Sequence, residues 1–204
     1  RYWGMLSDTA GDETTCIGGV SGAVKGTQKR VSVLENSLSL ATIHTVATGR
    51  NGLYAGLVGT VSNPSVRHCA FAGQIKADAA PAMTGGLVAQ LGAWVSDGAF
   101  NDICITGRIA SVDNNPSPLI SLYPQLDSQV KMGRFSNVVY DRQMTGLTIT
   151  DFNYQGALTT SQLTGSTLPS GLSSEHWSAV PGRYPIIKGM ESDPAWQVAS
   201  APVF

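Results

Sequence analysis

Two histidines and an aspartate head three look-alike segments. His44-Thr45-Val46-Ala47-Thr48-Gly49, His68-Cys69-Ala70-Phe71-Ala72-Gly73 and Asp102-Ile103-Cys104-Ile105-Thr106-Gly107 each run from a polar residue through small and apolar ones to glycine. If the segments stack, His44, His68 and Asp102 fall into one column. Two imidazoles and a carboxylate are a donor set for a divalent metal, or a group for acid–base chemistry. The plainer reading is a solvent-facing corner, where a short polar side chain closes a turn by hydrogen bonding. That reading is adopted: no residue is assigned as a metal ligand or catalytic group, and His68 and Asp102 stay as candidate ligand-binding residues.

Other side chains offer less. Trp94 follows a glycine-rich element and precedes a loop, which makes it the leading candidate for stacking on a sugar ring, with Tyr54 as a second. Asp8, Asp12 and Glu13 are the densest carboxylates and the one candidate Ca2+ site, but they lack EF-hand spacing and read as a solvated loop. No cofactor is otherwise expected. Cys16, Cys69 and Cys104 are too few and scattered for a disulfide scaffold or a CxxC zinc site. Cys69 and Cys104 sit one position apart in the aligned segments, so they point to opposite faces and read as unpaired small hydrophobes. The sequence holds no GxSxG, HExxH, P-loop or GxGxxG.

Composition says what kind of elements must position these groups. The 204 residues carry 13 Lys+Arg against 14 Asp+Glu, a net charge of −1, which leaves no electrostatic footprint for nucleic acid or an anionic membrane. No apolar run reaches the ~18–20 residues of a membrane helix. Only 13% of residues are charged, against about 25% in ordinary domains, and 23 are glycine. Good helix formers are therefore scarce, and an all-β chain is expected.

Glycine recurs in a frame. Gly56-Leu57-Val58-Gly59 reappears as Gly86-Leu87-Val88-Ala89, and Gly18-Gly19-Val20-Ser21-Gly22 reads as an earlier copy. After the first two comes the second half-unit, His68–Ile75 and Asp102–Ile109, ending on Gly73 and Gly107; His44–Gly49 reads as an earlier one, 24 residues upstream. Short apolar runs between glycines are strands joined by tight turns. One unit cannot bury its own apolar face, so units must stack and share a core.

These motifs resemble GLUG-repeat proteins, in which a glycine-leucine-(any)-glycine element precedes a segment of the form N-C-Y-A-T-G-x-V. The leading Asn of that segment is replaced by His, His and Asp in the three copies. The C-terminal part is also similar, in Tyr140-Asp141, Gly156-Ala157-Leu158-Thr159-Thr160-Ser161-Gln162-Leu163 and Trp177 through Gly182-Arg183-Tyr184-Pro185-Ile186-Ile187. The resemblance implies a right-handed parallel β-helix in a large secreted or surface-attached bacterial protein such as an adhesin. There the array is a stalk, spacer or binding surface, and any active site lies in another domain.

The expectation is thus an all-β, right-handed parallel β-helix over residues 1–149, a C-terminal coil or cap over 150–190, and a linker or the start of another β module over 191–204. Thr159 to Gln162 fits a capping box, and Trp177, Tyr184 and Ile186 would cover the last coil. The chain is expected to belong to a larger parent protein at the cell surface and to bind a glycan or protein ligand, or serve as a stalk. Two alternatives stand: a subunit of a surface assembly docking through an uncapped N-terminal edge, and a polysaccharide-degrading β-helix enzyme using Arg67, Arg108, Asp102 and Asp113.

Overall fold

The computed structural model describes residues 5–8, 16–27, 30–45, 52–78, 82–92, 99–111, 116–122, 135–146 and 156–201. The chain is all-β with parallel sheets. From Gly52 it runs through strands Gly52–Ala55, Val58–Ser62, Pro64–Phe71 and Gln74–Ala77, then repeats the succession as Ala82–Gly85, Val88–Leu91, Ala99–Ile105 and Arg108–Ser111. Each strand lies parallel to its counterpart, which makes four sheets. An earlier set is Cys16–Gly18, Ser21–Lys25, Ser32–Glu35 with Leu38–Ser39, and Thr42–Thr45; Ile120–Leu122 and Phe135–Asp141 begin a later one.

The repeat frame read from glycine is the register of the sheets. Val58 pairs with Val88, and Gln74 with Arg108, so Gly73 falls beside Gly107. Gly18 pairs with Ala55, which sets Gly19 beside Gly56. One segment is a correction. His44 pairs with Lys76, not with the head of the His68 segment. The earlier copy begins instead at Asn36, because Glu35 pairs with Arg67 and Leu38 with Ala70. The physical reason is path length. A repeat must pass through all four sheets, which takes 32 residues from Asn36 to His68 and 34 from His68 to Asp102; a spacing of 24 cannot complete it.

Parallel pairing in register stacks like on like. Ile43, Ile75 and Ile109 line one sheet, Val58, Val88 and Ile120 another, and Val66, Phe100 and Phe135 a third. Most of these side chains are fully buried in a single cluster to which all four sheets contribute. The glycine element is required by close approach of backbone. A Cβ on Gly19 would overlap the Gly56 carbonyl oxygen, one on Gly56 that of Gly86, and one on Gly86 that of Pro118.

Residues 156–201 are built differently. Ala157–Leu158 extends the third sheet. Helix α1 (Thr160–Leu163) opens with a full capping box: the Thr159 side chain accepts from the Gln162 N–H, and the Gln162 side chain accepts from the Thr159 N–H. An antiparallel pair, Trp177–Ser178 with Ile186–Ile187, and helix α2 (Pro194–Ala199) follow. Trp177, Tyr184, Ile186, Ile187 and Trp196 pack in one cluster with Leu38, Ala70, Cys104 and Val139. Those last four are the same outward position on four successive strands. The C-terminal segment therefore lies along the flank of the third sheet and spans its repeats. No described helix is long and apolar enough to cross a membrane.

Candidate functional site

The third sheet bends at one residue per repeat. Asn36, His68, Asp102 and Asn137 share a column, set by the pairing of Glu35 with Arg67, Arg67 with Asn101, and Asn101 with Ser136. All four are left-handed, with φ of 50°, 51°, 57° and 55°. Among residues with a Cβ, Asn, Asp and His tolerate this conformation best. The backbone thus explains the residue types, and it turns each side chain off the alternating pattern to face outward at a corner.

The C-terminal segment descends this column one repeat at a time. A Cβ on Gly171 would lie 3.8 Å from Asn137 Cα. The Ser173 N–H donates to Asp102 Oδ1 at 2.8 Å. The His176 ring stacks on His68 with centroids 3.5 Å apart and planes 21° off parallel. His68, Asp102 and His176 so form a cluster whose ligand atoms all lie within 4.8 Å of one another. His68 Nε2 stands 3.9 Å from Asp102 Oδ2. Asp102 is 1% exposed, and Oδ2 has no hydrogen-bond partner among the described residues.

Burial, then the neighbouring His176 and Arg67, hold His68 below the ordinary imidazole range, against the opposing pull of Asp102 and Glu35. At neutral pH its ring is therefore uncharged and offers a nitrogen lone pair. Two imidazoles and one carboxylate are donors that suit a borderline transition-metal ion.

The other sequence-selected residues do not join this cluster. His44 sits on the fourth sheet, 2.9 Å from Asp78, which also pairs with Lys76 at 2.8 Å. Tyr54 is 3% exposed and presents no face to a sugar, because its side chain on the first sheet, strand Gly52–Ala55, turns into the shared core. Asp102 lies beneath the C-terminal segment, not open to an extended ligand. Arg67 pairs with Glu35 at 2.6 Å on the third sheet and Arg108 stands on the fourth, so the set proposed for polysaccharide cleavage is not gathered. Trp94, Asp12, Glu13 and Asp113 lie outside the described residues, as does the side chain of Asp8.

His176 was invisible to sequence reasoning. It lies in no repeat, and no spacing connects it to His68; it arrives because the chain doubles back over the flank. Asn36 and Asn137 are also absent from the sequence reading; the signal that could find them is an αL-tolerant residue one repeat either side of His68 and Asp102.

The cysteines are all free. Cys69 points into the shared core and Cys104 to the flank under the C-terminal segment, so the two face opposite sides of the third sheet. Burial pushes the Cys69 thiol up to about 11, and burial with Asp141 and Asp102 nearby raises Cys104 further. Cys69 is therefore a protonated, unreactive thiol at neutral pH. Thiol titration of the native chain is expected to modify half-buried Cys16 alone, the other two reacting only in denaturant.

Comparison of the chain with protein families, with curated proteins and with solved structures finds no match.

Proposed function

We propose that the chain is a right-handed parallel β-helix of the GLUG-repeat type, a non-catalytic spacer module in a larger secreted or cell-surface bacterial protein. The carrying observation is the succession of four parallel sheets, each visited once per repeat in matched register. Such an array transmits position along its length because each repeat is hydrogen-bonded to the next on every side. The left-handed column adds support: its outer members, Asn36 and Asn137, are the Asn that the resemblance expects at the head of the second half-unit. The low charge content fits a surface solvated by hydroxyls and amides. A rigid spacer needs no cleft, and among the described residues the two candidates for a glycan site are not open to one: Tyr54 is buried in the core and Asp102 lies beneath the C-terminal segment.

A second reading draws on the N-terminal edge. Met5–Asp8, Cys16–Gly18, Ser21–Lys25 and Ser32–Glu35 each stand last in their sheet, paired on one side among the described residues. Val31 and Val33, 41% and 56% exposed, lie at this edge. An assembly partner or a further repeat would pair there.

The intact denatured mass of the protein from its source, together with surface proteolysis of whole cells, tests the proposal. A mass well above 21.4 kDa with cleavage by external protease is expected. A native mass of 21.4 kDa carrying stoichiometric partners would replace the spacer with the docking subunit. Turnover of an acidic polysaccharide by the isolated chain, lost on Arg108→Ala, would overturn both.

A further inference from the structure

Asp102 poses an electrostatic problem that its surroundings do not solve. Its carboxyl is 1% exposed, and Oδ1 takes the Ser173 N–H, but Oδ2 has no hydrogen-bond partner among the described residues. Removing a carboxylate from water is costly unless a cation or donors replace the lost hydration. The nearest candidate cation is His68, at 3.9 Å, which is beyond hydrogen-bond range. Its ring is occupied on one face by a second imidazole, which disfavours a positive charge there. The three groups converge, yet among the described residues no protein donor reaches Asp102 Oδ2.

We propose that His68, Asp102 and His176 bind one divalent transition-metal ion of the zinc class, which fastens the C-terminal segment to the flank of the third sheet. The ion would supply the positive charge that Asp102 Oδ2 lacks. Two imidazole nitrogens and one carboxylate oxygen favour zinc, cobalt, nickel or copper over Ca2+ and Mg2+, which prefer all-oxygen sites. Preorganisation favours binding too. His68 and Asp102 are held on adjacent strands at paired positions by the same left-handed backbone, so two ligands are placed before the ion arrives. The third must move. Rings stacked only 21° from parallel have lone pairs that run side by side, so His176 has to swing out of the stack to converge on the ion. Its side chain is 32% exposed on a surface segment, which leaves it room to do so. Three protein ligands leave at least one coordination position for water or an outside ligand. The inference is independent of the spacer reading.

Cobalt(II) is the probe, added to the full chain after chelation. One equivalent is expected to bind with the visible absorption of a four- or five-coordinate nitrogen–oxygen site, and zinc to displace it. His176→Ala removes a partly buried surface side chain whose ring contact is with His68, and is expected to lower affinity at least about 100-fold, the upper end of what losing even an outer ligand partner costs. Asp102→Asn keeps the oxygen that receives the Ser173 N–H, and should weaken binding similarly. His44→Ala, remote from the cluster, should bind as the unaltered chain does. Metal should also protect the bonds around Ser173–His176 from proteolysis. Absence of saturable binding, affinity retained in His176→Ala, or an equal loss in His44→Ala would overturn the proposal. A thiolate-to-cobalt charge-transfer band would do so as well, by placing the ion on Cys16.

Discussion

Gly56→Ala is expected to destabilise the chain by about 3 kcal/mol, the upper end of what overpacking a core costs. The new Cβ would overlap the carbonyl oxygen of Gly86 on one side and the Phe71 ring on the other. A side chain that is too large can often rotate away, but a backbone oxygen in a sheet ladder cannot. The strands here are tied by the Gly56 N–H to Gly85 oxygen bond at 3.0 Å and the Val58 N–H to Leu87 oxygen bond at 3.1 Å. Spreading the two repeats would lengthen these bonds and open the core stacked beneath them. Gly165→Ala is the matched control, since its Cβ would meet nothing closer than 3.8 Å. That variant is expected to be neutral, or more stable by about 0.4–1 kcal/mol through a less flexible unfolded chain. Urea denaturation separates the two. A lower midpoint at an unchanged slope for Gly56→Ala, with no loss for Gly165→Ala, is the expected pair. Equal midpoints would mean that the repeats are not in the close contact described.

Trp177→Ala is expected to cost about 3–5 kcal/mol, the usual loss for truncating a large buried aromatic. Trp177 is 1% exposed, and it sits in the cluster that joins the C-terminal segment to Leu38, Ala70, Cys104 and Val139. Its indole N–H has no hydrogen-bond partner among the described residues, so the truncation gives up packing alone and strands no new polar group. The loss should be local. Hydrogen exchange is expected to show residues 157–187 opening while strand Val58–Ser62 keeps its protection, because the shared core does not include this cluster. If instead the whole chain unfolds together, the flank segment and the sheets are one cooperative unit. The variant also bears on the metal proposal. Freeing the segment withdraws His176 from His68, so cobalt affinity should fall with it.

How far the sequence could be read follows from which features are local. The alternation and glycine spacing of His68–Ile75 and Asp102–Ile109 are properties of single repeats, and the sheets carry that alignment without a slip. The capping box at Thr159 and Gln162 is likewise a matter of four consecutive residues. The His44 segment resembles the His68 segment in letters alone, His to His and Gly to Gly, and pairs elsewhere. The demand shared by that position in every described repeat is a left-handed backbone, which Asn36 meets one repeat length away. Tyr54 illustrates a different gap: an aromatic in a short apolar run reads alike whether it faces solvent or core, and only the inward turn of its strand decides.

The flank was beyond reach for a further reason. The sequence reading has Trp177, Tyr184 and Ile186 cover the last repeat. The segment instead spans outward positions on four strands, joined to them by contacts such as the Tyr184 hydroxyl donating to buried Asp141 at 2.8 Å. Nothing in the repeat pattern distinguishes an outward position that faces water from one that another segment will cover.

The amino-acid sequence by itself determined the strand-rich class, the glycine repeat frame and two of the four corner residues, His68 and Asp102, since these rest on propensity, glycine sterics and the αL tolerance of Asp and His. Only the tertiary structure decided that Asp102 is buried, that His176 lies on His68, and that the two belong to one cluster. Those facts depend on a segment more than 70 residues downstream folding back over the sheet, and the energy that holds it there is hydrophobic burial, which has no direction and leaves no spacing in the chain to read.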